Sequence, residues 1–492
     1  MSDDDSWAPR VVQEARLRYL DHQLASKRAT INIKIERAVL LGALDRRVEA
    51  QQAFVDILLQ APTHFSALNE FGNFLASMDF IAAACRVYSE AITHHPTNPM
   101  GHVNLANLLL PGGDLAGARK HYETALRLNP DHPQAHQGLG AVLSSIGDHS
   151  SAKSHFRKGF GNHFISSLPY RGTKPPVSLL LLVSSGGGNI PTASFLDDRI
   201  FMTSVVVMDF LDPSVPLPAH QLVFNAIGEA DLCTPALNAA NRLMERTRVP
   251  VINDPSAVLK TGRIANAQRL RALPGVVTPR TITMSRAVLI EPNAPAAISG
   301  HGFAFPLLLR SPGFHTGYNF VMVESATKLP TAAASLPGDD LLVIEYLDAR
   351  GNDGNARKYR VMIIDGRIYP LHLAISRRWK VHYFTADMTD HPDFRLEEAA
   401  FLNDMPKTLG NKAIMALEQI GYELGLDYGG IDFGLSPNGD VLLFEANATM
   451  VVNPPDSDER WAYRRSAVTK ILDAVSIMIL GRAADTPKHA AA

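Results

Sequence analysis

Small, aromatic and proline residues recur at a fixed interval in the first third of the chain. Proline occurs every 34 residues, at Pro62, Pro96 and Pro130. Alanine and, four positions later, an aromatic residue keep the same interval; these sets are Ala50, Ala84, Ala118 and Ala152, and Phe54, Tyr88, Tyr122 and Phe156. Small residues mark where two helices touch, aromatic residues fill the space between them, and proline ends every second helix. The spacing therefore predicts an array of helix pairs.

This pattern resembles the tetratricopeptide repeat, whose aromatic and proline positions it matches. The resemblance implies an all-α solenoid over residues 31–166, preceded by a capping helix within residues 1–30 that covers its first apolar face. Solenoids of this family commonly bind peptides or other proteins on their concave surface. The sequence leaves open whether this array binds such a partner, packs on its own chain or forms a homodimer.

Apolar runs alternate with helical segments after a proline-containing linker that ends at residue 176. Four strands are predicted, at Val177–Val183, Phe201–Met208, Leu222–Ala226 and Val249–Ile252, with a helix at Pro235–Arg248. Strands that alternate with helices are typical of a parallel α/β domain, here residues 176–275. The glycines at 186–188 and Asn225 follow predicted strands, where they either bind a ligand or have only a structural role.

From residue 276 the pattern changes to antiparallel strands. Phe305–Arg310 is an apolar strand that ends in a cation, and a glycine-containing flap follows it. Leu341–Asp348 is a further strand, a hairpin turns at Asp365-Gly366, and Lys412–Leu424 is helical. These elements predict an α+β domain over residues 276–482, followed by a disordered tail at 483–492.

The last hairpin of this domain carries the most informative polar residues of the chain. Asn438-Gly439 favours a two-residue type I′ turn, since both residues tolerate a positive φ. Counting outward from that turn places Asp432 opposite Glu445, with Asn447 on the same face. Two carboxylates that face each other between apolar strands repel unless a cation lies between them. Oxygen ligands of this kind suit Mg²⁺ that is also held by phosphate.

The order of these elements resembles the ATP-grasp superfamily: a small α/β domain, a strand with a cation before a glycine flap, a Glu-Tyr-Leu hinge and a terminal hairpin with metal ligands. The resemblance implies a pre-ATP-grasp domain at 176–275 and an ATP-grasp fold at 276–482. It also implies ATP and two Mg²⁺ ions as cofactors, with Asp432, Glu445 and Asn447 as metal ligands. The residues that would bind ATP are Arg263, Arg310, Gly313, Gly317, Glu345, Tyr346, Leu347 and Asp348, and the catalytic cations would be Arg310, Arg360 and Lys380.

Three positions depart from the family's pattern. Arg310 and Arg263 stand where lysines are usual, and arginine is a bidentate phosphate ligand that is always charged. Lys358 occupies a position where some members have an acid that binds ribose, so Asp348 is considered for that role instead. The sequence leaves open whether the neighbouring basic residues meet an anion or lie on the surface; these are Arg377, Arg378, Arg464 and Arg465.

The function that the resemblance implies is ATP-dependent ligation. A substrate carboxylate would be activated as an acyl-phosphate and joined to an amine of a small molecule or peptide, while the repeat array recruits a protein or peptide. Two alternatives stay open, a small-molecule kinase and a scaffold with an inert nucleotide site. The identity of the acid and of the amine cannot be read from the sequence.

Composition argues against nucleic-acid binding, membrane association and a disulfide-bonded fold. The 492 residues carry a net charge of -2, which gives no general attraction to nucleic acid or to an anionic membrane. Only two cysteines occur, so a disulfide framework is not expected and a reducing cytoplasm is the predicted location. No apolar run approaches the length of a transmembrane helix.

Overall fold

The computed structural model of the protein describes residues 10–26, 30–313 and 319–485. These residues fall in two compact units. The first takes in the chain up to Gly186 together with Leu196–Gln221, and the second takes in Gly187–Phe195 together with the chain from Leu222 onward.

The first unit begins with consecutive helices, as the 34-residue spacing predicts. Each helix packs on the next, most extensively within the pairs that follow the first helix. The helices are α1 (Arg10–Ala25), α2 (Ile31–Ala43), α3 (Arg47–Gln60), α4 (Phe65–Ser77), α5 (Ile81–His94), α6 (Pro99–Leu109), α7 (Leu115–Leu128), α8 (Pro133–Ser145) and α9 (His149–Phe160). Helix α1 corresponds to the predicted cap.

The repeated residues have the packing roles that their spacing predicts. Ala84 and Ala118 are fully buried, and the repeated aromatic residues are buried as well. A Cβ atom added to Gly72 would lie 2.4 Å from the ring of Tyr88, so only glycine permits this close helix contact. Side chains at the same 34-residue interval also cap the first helix of successive pairs; these N-cap residues are Thr30, His64, Asn98 and His132.

Three strands complete the first unit: β1 (Ile165–Ser167), β2 (Val177–Val183) and β3 (Phe201–Val207). Strand β3 is parallel to β2 and antiparallel to β1. Phe210, which follows β3, stacks on Phe160 of α9 with 5.8 Å between ring centroids. This contact joins the last repeat helix to the strands of the same unit.

The second unit opens with short strands that alternate with helices. Its first elements are β4 (Leu222–Asn225), α10 (Ala230–Met244), β5 (Val251–Ile252), α11 (Pro255–Leu259), α12 (Arg263–Leu270) and β6 (Val276–Val277). Strands β4 and β5 are parallel, as predicted. Helix α10 consists of two helical segments joined at a kink at Cys233, which has φ −108° and ψ 18°. The predicted helix after Cys233 is therefore confirmed, with Pro235 in its first turn, but it ends at Met244 and not at Arg248.

A four-stranded antiparallel sheet follows, with strand order β7-β10-β8-β9. Its strands and helices are β7 (Thr281–Ser285), α13 (Arg286–Leu289), α14 (Ala294–Gly300), β8 (Leu307–Arg310), β9 (Phe320–Val323), α15 (Leu329–Ala334) and β10 (Asp340–Glu345). Leu307, Leu309 and Val343 pack against Leu289 and Ile298 to form its apolar core. This core fixes the end of β8, where Arg310 lies.

A five-stranded sheet carries the remaining strands, in the order β12-β11-β13-β14-β6. Its elements are β11 (Ala356–Ile364), β12 (Arg367–Ser376), α16 (Pro392–Asn403), α17 (Met405–Leu409), α18 (Asn411–Leu424), β13 (Tyr428–Leu435), β14 (Val441–Asn447) and α19 (Arg465–Ala484). The prediction of antiparallel strands from residue 276 is wrong for β6, which pairs in parallel with β14. The predicted turn at Asp365-Gly366 is confirmed, since these residues have φ of 49° and 74°.

Two further observations concern the C-terminal end of the chain and the hydrophobicity of its helices. Helix α19 continues to Ala484, two residues into the predicted tail, and the tail from residue 486 lies outside the described residues. None of the helices among residues 10–26, 30–313 and 319–485 combines the length and hydrophobicity needed to cross a bilayer.

Candidate functional site

A cavity of 610 Å³ lies in the second unit and is lined by residues of its four-stranded and its five-stranded sheet. Among the described residues, its lining holds more cations than carboxylates; they are Arg263, Arg310, Arg357, Lys358, Arg360, Lys380 and Arg464 against Glu345, Asp432 and Glu445. Arg357 and Arg464 are ion-paired with Glu397 and Glu398, which lie outside the lining. The other five cations still outnumber the three carboxylates, so the cavity favours an anionic ligand.

The loop that ends the β13–β14 hairpin differs from the predicted two-residue turn. Ser436 N donates a hydrogen bond to Asp440 O at 2.9 Å, so the loop contains three residues, Pro437 to Gly439. Gly439 has a φ of 77°, whereas Asn438 does not have a positive φ. The prediction of a type I′ turn is therefore wrong. A glycine in the last position of a three-residue loop is a common alternative, because only that position needs a left-handed backbone.

A β-bulge compensates for the longer loop. Near the turn, Leu435 pairs with Val441, one residue away from the predicted register. The register then shifts between Phe433 and Asp432, where Phe444 is the extra residue of β14. Beyond this bulge Asp432 lies opposite Glu445, as predicted. Phe444 and Glu445 both line the cavity.

Asp432 is held by two cations from the neighbouring strand β11. Lys358 Nζ lies 2.9 Å from Asp432 Oδ2, and Arg360 Nη2 donates to the same oxygen at 2.8 Å. Arg360 Nε also donates to Oδ1. Burial by itself would raise the pKa of Asp432, but Arg360 and Lys358 outweigh it and hold that pKa well below its usual range. Asp432 is therefore ionised and fully compensated in charge.

Glu445 is bound by residues from other parts of the second unit. Arg263 Nη2 and Asn447 Nδ2 contact Glu445 Oε1 at 2.7 and 3.1 Å. Burial raises its pKa, but Arg263 and Arg310 outweigh burial and lower the pKa below its ordinary value. The nearby Glu229 is different: burial and the charge of Glu445 raise its pKa to about 7.

The donor set partly fits the implied magnesium site. Asp432 and Glu445 present hard oxygen ligands from adjacent strands to a cavity with excess cations, as Mg²⁺ bound to phosphate prefers. Both oxygens of Asp432 are paired with Lys358 and Arg360, so a ligand role for Asp432 requires that these contacts change. The amide oxygen of Asn447 accepts hydrogen bonds from Thr449 N at 3.0 Å and Oγ1 at 2.9 Å, so a ligand role requires rotation of that amide. Within the described part of the chain no three His, Cys, Asp or Glu side chains are grouped to hold a metal. Oxygens of a bound phosphate would therefore have to complete the coordination.

The predicted hinge lies along one wall of the cavity. Glu345, Tyr346 and Leu347 line it, whereas Asp348 lies outside the lining. Asp348 accepts hydrogen bonds from Arg350, and this contact, outweighing burial, lowers the pKa of Asp348. The Glu345 N–H donates to Arg280 O at 2.8 Å, so that N–H is not available to a ligand in this structure.

Aromatic rings that were not predicted as site residues lie beside the hinge. Trp379 lines the cavity, with its ring 5.5 Å from Phe320 and 6.5 Å from Tyr346. Arg310 and Lys380 lie over the ring of Phe320, at 5.6 and 5.9 Å from its centroid. The only sequence signal for Trp379 was its position inside the basic segment that precedes Lys380. Trp379 meets both rings edge to face, with interplanar angles of 69° and 87°, and the three rings offer apolar surface next to cations.

The basic residues left open by the sequence divide into two groups. Arg377, Arg378 and Arg465 are exposed and lie outside the lining. Arg464 is buried and makes a salt bridge to the fully buried Glu398, with 2.7 Å between Nη2 and Oε2. Because its charge is already compensated, Arg464 supports the cavity wall rather than offering a free cation.

The predicted glycine flap is described only at its start. Gly313 has a φ of 82° and lies outside the cavity lining, and Gly317 lies outside the described residues. Of the glycines at 186–188, Gly188 lines the cavity, and a Cβ there would lie 2.5 Å from Glu229 Cβ. Asn225 is fully buried and donates to Asn253 O at 3.0 Å, which is a structural role.

Comparisons with known proteins concern the N-terminal region. Among solved structures, MamA from Desulfovibrio magneticus RS-1 is 23% identical over 30% of this chain and 84% of its own, with a TM-score of 0.27. Pseudomonas aeruginosa pilF is 18% identical over 30% of this chain and 76% of its own, with a TM-score of 0.26. The comparison with curated proteins gives no match. A family model described as TPR repeat matches residues 106–147, and the N-terminal region is a TPR repeat array.

Proposed function

We propose that the second unit binds ATP with Mg²⁺ and joins a carboxylate to an amine, as the resemblance to the ATP-grasp superfamily implies. One observation carries this proposal. Asp432 and Glu445 lie side by side in a cavity with excess cations, whose hinge wall is lined by Trp379. The cations suit a polyphosphate, the paired carboxylates suit a metal bound to it, and the aromatic wall suits a purine.

The proposed reaction has two steps. A carboxylate oxygen of the acid attacks the γ-phosphorus of ATP, and the bond to ADP breaks. An amine nitrogen then attacks the acyl carbon, a proton leaves that nitrogen, and phosphate is released as the amide forms. Arg263, Arg310 and Lys380 would stabilise the charge on the transferred phosphoryl group. Bound Mg²⁺ would supply further neutralisation of the phosphates.

The charges around Arg263, Arg310 and Lys380 support a role for these cations in binding the phosphates. Burial and the neighbouring Arg263 lower the pKa of Arg310, and burial followed by Arg310 lowers the pKa of Lys380. In the protein without ligand, Arg263 thus repels Arg310 and Arg310 repels Lys380, while Glu445 and Glu229 offset part of the repulsion at Arg310. Binding of a triphosphate would relieve that repulsion, which is a reason for a strong preference for anions.

The test is a coupled assay of ADP release against a panel of amino acids, dicarboxylic acids and short peptides. Wild-type protein is expected to release ADP only with the correct acid. Glu445→Gln is expected to reduce the rate at least about 100-fold, because it replaces a charged ligand of the proposed Mg²⁺ by a neutral amide. Glu418→Gln is the matched control, since Glu418 is exposed on α18.

Hydroxylamine separates ligation from the alternative kinase reaction. Trapping of a hydroxamate when the acid is supplied indicates an acyl-phosphate, whereas a stable phosphorylated product indicates a kinase. No binding of MgATP in a calorimetric titration would instead favour a scaffold, in which the TPR array binds a protein partner and the second unit is inert.

A further inference from the structure

His372 is a buried polar residue of the cavity wall that the proposed reaction does not yet use. It lies on β12, directly opposite Arg360 of β11, and it lines the cavity although only 4% of its surface is exposed. Both ring nitrogens of His372 are themselves buried, and across the part of the chain that the structure describes neither has a hydrogen-bond partner. A ligand in the cavity can therefore contact them only when the side chains around the ring move.

Buried histidines elsewhere in the chain do have partners. His136 in the repeat array is 3% exposed. Its Nδ1 lies 2.9 Å from His155 Nδ1 and its Nε2 lies 2.8 Å from Pro130 O. Leaving a buried donor and acceptor unpaired costs free energy, so such a group in a folded protein usually marks a site that a ligand or water completes. Both ring nitrogens of His136 are paired and those of His372 are not, which indicates that a ligand completes the hydrogen bonds of His372.

The surroundings of His372 define the kind of ligand. The ring packs on Tyr383 with 4.8 Å between centroids. Burial, followed by the charge of Arg360, holds the pKa of His372 well below its usual value, so the imidazole is neutral. A neutral imidazole has one N–H donor. The charges that act on the ring include Arg360, Lys358 and Asp432. The two cations pair with that one carboxylate, so the group keeps one excess positive charge, which favours negative charge at the oxygen that accepts this hydrogen bond.

We propose that His372 binds an oxyanion in the cavity, a phosphoryl or a carboxylate oxygen, by donating its ring N–H in the field of Arg360 and Lys358. This inference rests on the proposed function for the identity of the oxyanion, which would be the transferred phosphoryl group or the carboxylate of the acid. In that reaction His372 would position the attacking or transferred oxygen.

The experiment is a calorimetric titration of the full chain, without nucleotide, with inorganic phosphate and separately with acetate. His372→Phe keeps the ring and removes the donor, and His372→Leu is a second apolar variant in case the first does not fold. Affinity for at least one anion is expected to fall by about tenfold in both variants. His372→Asn, which keeps an N–H donor, is expected to retain most of the affinity.

The two titrations distinguish the sources of the oxyanion. A loss restricted to phosphate assigns His372 to the phosphoryl group, and a loss restricted to acetate assigns it to the acid. His136→Phe is the matched control: it removes a buried histidine whose nitrogens are paired, so it should lower the melting temperature without changing either affinity. His372→Phe should not lower the melting temperature.

Three results would overturn the assignment. Wild-type protein could bind neither anion in the millimolar range, the His372 variants could bind both as wild type does, or His372→Asn could lose as much affinity as His372→Phe. MgATP affinity is measured on the same samples. Because the anion titrations contain no nucleotide, a failure of ATP binding contradicts the proposed function and not the oxyanion site.

Discussion

Asp432 and Glu445 face each other across β13 and β14 because two irregularities in their hairpin cancel. The loop of three residues moves the register by one position, and the bulge at Phe444 moves it back. Side chains alternate along a strand, so a single uncorrected shift would have turned one carboxylate to the opposite face. Both the loop length and the bulge are thus needed to place the two carboxylates at the same cavity.

Asp432 is predicted to be essential for stability as well as for any role with a ligand. Asp432→Leu leaves Lys358 and Arg360 buried without their counter-charge, and loss of one partner of a buried ion pair costs about 3–5 kcal/mol. We expect that decrease in the free energy of unfolding of the second unit, measured by urea denaturation. Lys358→Met leaves the Arg360 contact in place and should cost less. A stability of Asp432→Leu within error of wild type would contradict this account of the pair.

Arg263 is predicted to act on binding rather than on stability. Its ion pair with Glu445 leaves 21% and 29% of the two side chains exposed, and such partly solvated pairs contribute below about 1 kcal/mol. We expect Arg263→Ala to leave the melting temperature nearly unchanged and to weaken MgATP binding by about tenfold in a calorimetric titration. Arg378→Ala is the control, because Arg378 is exposed outside the cavity lining. Equal affinities of wild type and Arg263→Ala would argue against a phosphate contact.

Trp379 is predicted to report nucleotide binding through its fluorescence. The chain has three tryptophans, and of the two that the structure describes, Trp379 and Trp461, Trp379 lines the cavity beside the hinge. ATP is expected to change the emission of wild type and of Trp461→Phe, while Trp379→Phe should bind ATP without that change. Trp379→Ala should weaken binding by about fivefold, since stacking on an aromatic ring contributes about 1 kcal/mol. An unaltered fluorescence change in Trp379→Phe would place the nucleotide elsewhere.

The repeat array is predicted to lose stability in mild acid. His102 and His121 approach with 3.0 Å between their Nδ1 atoms, and His136 and His155 repeat this contact one period later. Burial lowers the pKa of His102, His121 and His155, so their folded-state pKa lies below that of the unfolded chain. Their contribution is present above about pH 6.5 and is lost as the pH falls through the folded-state pKa.

We therefore expect the melting temperature of the first unit to fall by about 5 °C or more between pH 7.5 and 5.5, as followed by circular dichroism. The double variant His121→Asn with His155→Asn should show a smaller fall, whereas His163→Asn, at an exposed position, should behave as wild type. A melting temperature of wild type that does not change over this range would rule out the histidine pairs as acid-sensitive contacts.

The sequence is informative where a single local rule decides the structure. The 34-residue spacing predicts the buried alanines and aromatic residues because helix pairs repeat the same contact. Asp365-Gly366 forms the expected turn because two residues alone determine it. Asn438-Gly439 is also a dipeptide that favours a two-residue type I′ turn, but it does not form one, since the register of the long β13–β14 pair also constrains the loop.

Other features depend on contacts between distant residues and carry little local signal. Arg263 and Glu445 are 182 residues apart, and the partners of Asp432 lie on a different hairpin. The ring nitrogens of His372 are unpaired because none of the described residues around them forms a hydrogen bond with them. The alternation of residues along a strand predicts which face a side chain lies on but not its hydrogen-bond partners. Helix α10 joins two helical segments across a kink at Cys233, and tertiary packing decides how such segments continue one another.

The rate of ADP release tests the central claim most directly. The assay contains MgATP, the correct acid, and hydroxylamine as the amine. Wild-type protein and Glu418→Gln should release ADP and form the hydroxamate. Glu445→Gln should retain its fold by circular dichroism and release ADP at least about 100-fold more slowly. Equal rates of wild type and Glu445→Gln would contradict the claim that the paired carboxylates of the β13–β14 hairpin serve nucleotide chemistry.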